Sequence, residues 1–288
     1  MDALEEDGGR GRALNVIAFL GGVFSPWYAW SGRRDPDDNC CMHVVTYGPG
    51  GRWAMTDRGR ARLRQEEARI DIGASSMRWE GGRVVVDVDE RAWPHMERIR
   101  GTVTLTPRFV TEVERALTPD GTHVWRPFAP RAEVEVDLGR HGRWRGHGYF
   151  DANFGLRPLE EDFDYWVWGR FPDGDGAIVV YDADLADGTK RGMAARFAPD
   201  GSVTPVPIPR RMPLPRSRWG VRREAWADAG HAPRQSRAML GAPFYNRAAI
   251  ETVLGGVRTE GVHESIDLRR WGAWWMKPMA MMRVPRRR

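Results

Sequence analysis

The sequence predicts an all-β protein, and three observations carry the prediction. Short runs alternate apolar and polar residues with the period of a half-buried strand, as in Val84-Val85-Val86-Asp87-Val88-Asp89 and Glu133-Val134-Glu135-Val136-Asp137-Leu138. Turn residues punctuate them at Glu80-Gly81-Gly82, Pro119-Asp120-Gly121, Pro172-Asp173-Gly174, Ala186-Asp187-Gly188 and Pro199-Asp200-Gly201. Helical patterns of useful length are few. Many short strands joined by such turns argue for a sandwich or a barrel.

From the N-terminus, the apolar stretch Ala13 to Phe24 is broken by Asn15 and Gly21-Gly22. It falls short of the ~18 apolar residues that cross a bilayer. Asp2, Glu5, Glu6 and Asp7 precede it, the wrong charge for a signal peptide, so a cytoplasmic location is expected. Phe24 to Arg33 then clusters Trp27, Tyr28 and Trp30. Cys40 and Cys41 are adjacent, which strains a disulfide ring, and both are expected as buried, small, apolar side chains. No cysteine spacing suggests zinc, and the chemistry is expected to need no metal. Gly48-Pro49-Gly50-Gly51-Arg52 lacks the Lys-Ser/Thr of a phosphate loop and precedes a strand. No serine sits in a nucleophile elbow.

The middle of the chain carries the chemistry. Thr102 to Thr106 alternates as a strand, and His123-Val124-Trp125 follows the Asp120-Gly121 turn on another. Residues two apart on a strand face the same side, so His123 can point with Trp125, and Tyr149 with Asp151. The second pair lies in His147-Gly148-Tyr149-Phe150-Asp151-Ala152-Asn153-Phe154-Gly155, an acid set among aromatic residues and glycines. A carboxyl group held against rings and away from water tends to keep its proton. Such an acid suits protonation of a carbon–carbon double bond.

Leu156 to Asp164, with Pro158 and four acids, reads as a connection between two halves, residues 1–157 and 158–288. Tyr165-Trp166-Val167-Trp168 and Ala177-Ile178-Val179-Val180-Tyr181 open the second strand-rich set. Thr204 to Pro215 holds five prolines and reads as a long extended loop. Val262-His263-Glu264-Ser265 reads as a satisfied strand end. The C-terminal Trp271 to Met282 mixes tryptophan and methionine, with Pro278 barring a long helix, before a run of arginines. It is read either as a closing segment packed on the fold or as a peripheral membrane contact.

The chain of 288 residues has 41% hydrophobic and 29% charged residues, the composition of a globular protein. Positive charge is nearly all arginine, with lysine only at 190 and 277, and the net charge is +5. No nucleic-acid module is present, so an anionic membrane surface is the expected partner of the basic tail. Fourteen tryptophans fit an elongated apolar cavity whose ring faces attract a positive charge such as a carbocation.

The chain resembles the acyclic carotenoid 1,2-hydratases, or hydroxyneurosporene synthases, of photosynthetic bacteria. The resemblance rests on Phe24 to Arg33, Tyr47-Gly48-Pro49-Gly50-Gly51, Met55-Thr56-Asp57-Arg58-Gly59-Arg60 and Trp125-Arg126-Pro127-Phe128-Ala129-Pro130. His147 to Gly155, Arg218-Trp219-Gly220 and His263-Glu264-Ser265 complete it. It implies two tandem lipocalin-like (calycin) β-barrels, covering residues 1–157 and 158–288. It also implies addition of water across the terminal C1–C2 double bond of an acyclic carotenoid of the neurosporene or lycopene type, without a redox cofactor. The family's catalytic acid falls on Asp151, with His123, Trp125 and Tyr149 associated. Trp27, Tyr28, Trp30, Phe154, Trp166 and Trp168 are the expected substrate contacts. Expected partners are the carotenoid, water and the cytoplasmic face of the inner membrane, with no nucleic acid. Two other readings stay open on the residues alone: a non-catalytic carotenoid carrier, and a polyene cyclase or pericyclase on the same scaffold.

Overall fold

In the computed structural model the alternating runs become paired strands. Val84, Val86 and Val88, followed by Glu90, are the buried side chains of Arg83–Arg91. This strand pairs antiparallel with Arg98–Pro107, setting Val103 against Val86 and Leu105 against Val84. The same two residues meet Val136 and Val134 of His123–Asp137 on their other side. Three strands therefore lay β-branched and leucine side chains in one buried row, and fully burying each is worth roughly 1.5–3 kcal/mol. The turn glycines at 81, 121, 174, 188 and 201 all take positive φ. The structure describes residues 1–6 and 9–287. Asp7, one of the acids weighed against a signal peptide, Gly8 and Arg288, the last arginine of the tail, lie outside the described residues.

Strands dominate, and the α-helices among the described residues are short: Pro26–Trp30, Leu159–Asp162, Leu268–Gly272 and Met276–Met281. None is long and apolar enough to cross a membrane. The fold is all-β in class, and its sheets run as open paths. The chain forms two compact units. One comprises Met1–Pro107, Ala132–Tyr149 and Trp274–Arg288, the other Arg108–Arg131 and Phe150–Ala273. The long strands His123–Asp137 and Arg143–Gly155 contribute residues to both.

The first unit is built on a 14-stranded sheet. Cys40 and Cys41 are free and buried in Cys40–Tyr47, as expected, and burial pushes the Cys40 thiol up to about 11. The segment Met55 to Arg60 ties three stretches of chain together. Asp57 accepts from Ser25 Oγ at 2.6 Å and from Arg286 Nη1 at 2.6 Å. Arg58 donates to the buried Glu90 at 2.6 Å, which also accepts from Ser75. Arg60 pairs with Asp35 and Asp37. Gly73 has φ +69° and lies against the Arg58 guanidinium, 2.6 Å from where a Cβ would sit, so no larger residue fits.

The second unit centres on a seven-stranded antiparallel sheet whose inner strands are Lys190–Phe197, Gly176–Leu185, Phe163–Asp173, Val257–Asp267 and Tyr245–Leu254. Tyr165, Val167, Phe171, Ile178, Val180, Trp226, Ala248 and Ile250 form its apolar core. The proline-rich stretch departs from the long-loop expectation: Val203–Pro205 forms the sheet edge, and Arg210–Leu214 pairs with Arg223–Ala227 in a separate ribbon. Prolines are tolerated there because edge strands leave one side of the ladder unpaired. His263 departs too. It lies inside Val257–Asp267, fully buried, and donates to Glu224 O at 2.6 Å. Burial and the nearby Arg223 push its pKa down to about 3.

Candidate functional site

The site is built on neighbouring strands of one sheet, His123–Asp137 and Arg143–Gly155. Along the first, burial alternates so that His123 and Trp125 share a buried face, each 2% exposed. On the second, Asp151 is partly exposed, in the portion that belongs to the same unit as His123 and Trp125. Trp125 Nε1–H donates to Asp151 Oδ2 at 3.1 Å, and Asn153 Nδ2 donates to the same oxygen at 3.3 Å. The expected acid and its aromatic partner are thus in direct contact. Tyr149 is 2% exposed on the same strand, in the portion assigned to the other unit, in register with Asp2.

His123 has a partner that the spacing of the motifs did not reveal. Its Nε2 lies 2.8 Å from Asp162 Oδ2, and Arg157 binds the same carboxylate at 2.7 Å. Arg157 also reaches Asp120 Oδ2 at 2.7 Å, joining the turn before His123 to the segment after Asp151. Gly155 packs against the imidazole: a Cβ there would stand 2.6 Å from Nδ1. The ring also meets Phe163 edge-on at 5.1 Å. From Phe163 the aromatic contacts continue to Trp166 at 5.4 Å and Tyr181 at 5.8 Å, with Trp168 opposite Tyr181 in register. Trp166 and Trp168 project from the strand face opposite the Val167 and Phe171 side chains of the core.

Tyr181 was not among the expected site residues. Its hydroxyl is buried with no hydrogen-bond partner among the described residues, and burial alone raises its pKa well above the usual tyrosine value. The sequence signal was present in Ala177 to Tyr181, which ends an apolar strand with a polar tip, but nothing there distinguished it from core. Phe154 is 54% exposed, with the Arg126 guanidinium 5.8 Å from its ring centre.

Trp27, Tyr28 and Trp30 lie in the first unit on the helix Pro26–Trp30, which Ser25 caps by accepting from Tyr28 N. Trp27 Nε1 donates to Val284 O at 2.7 Å, Tyr28 Oη donates to Arg33 O, and Trp30 is half exposed, edge-on to Trp27. A hollow of about 490 Å³ in that unit is lined by Arg62, Arg64, Arg69, Asp71 and Asp87. Its charged walls suit no hydrocarbon, and it contains none of the expected site residues.

A β-sheet scaffold that binds a carboxyl group to an indole, with aromatic rings leading from a histidine–carboxylate pair, has the parts of an acid–base enzyme. The family model described as Carotenoid hydratase CrtC matches residues 16–288, an enzyme family of the hydro-lyase class. The chain belongs to that carotenoid hydratase family. It is 50% identical over 273 residues to the acyclic carotenoid 1,2-hydratase of Cereibacter sphaeroides, covering 94% of this chain and 98% of the relative. The protein of the same name from Rhodobacter capsulatus is 52% identical over 274 residues, with the same coverage. Among solved structures, a putative AttH from Nitrosomonas europaea shares the fold at TM-score 0.58 and 15% identity, covering 93% of this chain and 90% of that one.

Proposed function

We propose that the protein hydrates the terminal C1–C2 double bond of an acyclic carotenoid of the neurosporene or lycopene type, giving a 1-hydroxy product. The hydrogen bond from Trp125 to Asp151 carries this reading, because it fixes a carboxyl group against an indole. Held at Oδ2 by Trp125 and Asn153, the Asp151 carboxyl group supplies the transferable proton. Asp151 gives that proton to C2, and the positive charge develops on the tertiary C1. Trp125 and Tyr149 flank the cation, each face contributing ~0.5–2 kcal/mol. Water attacks C1, and its surplus proton passes to the Asp151 carboxylate, restoring the acid. His123, held by Asp162, is favoured as a positioning residue over a second base. One water is added and no electrons are exchanged, so the reaction requires no redox cofactor.

Trp27, Tyr28, Trp30, Phe154, Trp166 and Trp168 are proposed contacts along the polyene. The fold is proposed as two tandem lipocalin-like domains divided in sequence at 157/158. The TM-score of 0.58 to a solved structure covering nearly the whole chain supports a shared architecture. A cytoplasmic enzyme peripheral to the inner membrane fits a substrate confined to the hydrocarbon phase. Incubation of purified protein with neurosporene or lycopene in detergent, followed by mass spectrometry, tests the reading. Hydration adds the mass of one water. Unchanged pigment that stays tightly bound would make the protein a carrier, and an altered pigment of unchanged mass would make it a cyclase.

A further inference from the structure

We propose that the helices Pro26–Trp30 and Met276–Met281, with their flanking residues, form a docking surface for an anionic lipid bilayer. This rests on the apolar substrate assigned above and names the surface that meets it. The two helices pack together in the first unit, pinned by the Trp27–Val284 hydrogen bond and by Met55, Cys41 and Val284 beneath. Met276 is buried on the inner side. The outer side exposes Trp274 at 85%, Met282 at 61%, Trp30 at 52%, Met281 at 41% and Trp275 at 38%. Scattered exposed apolar residues are ordinary, but five large ones on and immediately flanking two packed helices form a patch. Tryptophan is the side chain that an interface favours, with its ring among acyl chains and its N–H in water.

Charge selects the partner. After Asp267 the sequence has seven basic residues and no acid. The acids near the first helix are already matched: Asp35 and Asp37 by Arg60, Asp38 and Asp57 by Arg286. Arg34, four residues after Trp30, and Arg283, next to Met282, are exposed, as is Arg287. An apolar face rimmed by arginines complements acyl chains beneath anionic headgroups, and both terms add to binding. The clasp by Arg286 holds the helix Met276–Met281 in place, so the surface is presented preformed.

Co-sedimentation of the full chain with vesicles tests the proposal, using phosphatidylcholine alone and phosphatidylcholine with phosphatidylglycerol. The wild type should bind the anionic vesicles, and binding should weaken at high salt. W274S/W275S/M282S should lose binding at least tenfold while hydrating detergent-dispersed carotenoid at the wild-type rate. R34E/R283E leaves the apolar face intact and should lose about 25-fold or more, at about fivefold for each arginine removed. W219S, an exposed tryptophan of the other unit, should bind as wild type. Equal binding by the wild type and both patch variants would overturn the proposal. So would a wild-type dimer dissolved by W274S/W275S/M282S with no vesicle binding, since the face would then join two copies. Loss of hydration in detergent by the wild type would instead overturn the assigned reaction and leave the vesicle result standing.

Discussion

Asp151→Asn is the perturbation that isolates the proposed acid. Asparagine keeps an oxygen that accepts from Trp125 Nε1 and Asn153 Nδ2, so the two hydrogen bonds at 3.1 and 3.3 Å survive and the fold should too. The melting temperature should move by no more than a few degrees, the equivalent of ~1 kcal/mol or less. What disappears is the transferable proton. General acid catalysis is commonly worth 10²–10⁴-fold, and protonation of an olefin has no weaker route here, so turnover should fall by at least ~10³-fold. Trp125→Phe keeps most of the ring but removes the N–H donor, whose bond to a carboxyl group is worth about 1–3 kcal/mol, or roughly 5- to 150-fold. The assay is the rate of gain of one water by lycopene in detergent for wild type, both single variants and the double. If the indole acts through Asp151, the double variant should be no slower than Asp151→Asn alone. Full activity in a folded Asp151→Asn protein would refute the acid assignment. Additive losses would show that Trp125 serves catalysis independently of Asp151.

Tyr181→Phe removes a buried hydroxyl that has no partner among the described residues, so thermal stability should hold or rise by up to ~1 kcal/mol. A drop in hydration rate without a drop in melting temperature would place that hydroxyl on the substrate or the attacking water. His263 is neutral and buried in the native state with a pKa pushed down to about 3, whereas the unfolded chain protonates near 6.5. Its contribution to stability is therefore intact above pH 6.5 and is lost as pH falls through 6.5 toward 3, at up to about 1.4 kcal/mol per pH unit. Urea titrations from pH 7 to 4 should show a shallower decline in His263→Asn. Arg286→Ala leaves Asp57, 1% exposed, with Ser25 as its remaining side-chain partner in this cluster, and should cost ~3–5 kcal/mol. A midpoint in urea unchanged from wild type would show that the tail is not tied down through this pair.

The sheet was legible in the sequence because its rule is local. Val84 to Asp89 and Glu133 to Asp137 announce their buried face every second residue, and positive-φ glycines mark the turns. The contact of Trp125 with Asp151 was half legible, since strand pleat fixes which side chains share a face but not which strands adjoin. His123 illustrates the limit. Its carboxylate partner, Asp162, sits 39 residues away in a segment that composition marked only as an acidic connection. Likewise, the proline-rich stretch hid two short strands, because proline forbids a central strand but not an edge. Pairings of this kind depend on tertiary approach, which alternation does not encode.

The bond from Arg286 to Asp57 joins residues 229 positions apart, and the pair Arg286–Arg287 lies as a parallel strand beside Asp57–Arg58. A ribosome makes the earlier partner long before the later one. Until the later one emerges, the carboxylate at 57, which accepts from the capping Ser25, lacks its counter-ion. The first unit therefore cannot finish folding during synthesis of its own leading stretch, and must wait while the intervening sheet is made. Contacts of such long sequence separation form slowly. A nascent chain stalled before residue 286 should consequently present an unfinished N-terminal unit, open to proteolysis at the helix that the clasp would otherwise hold.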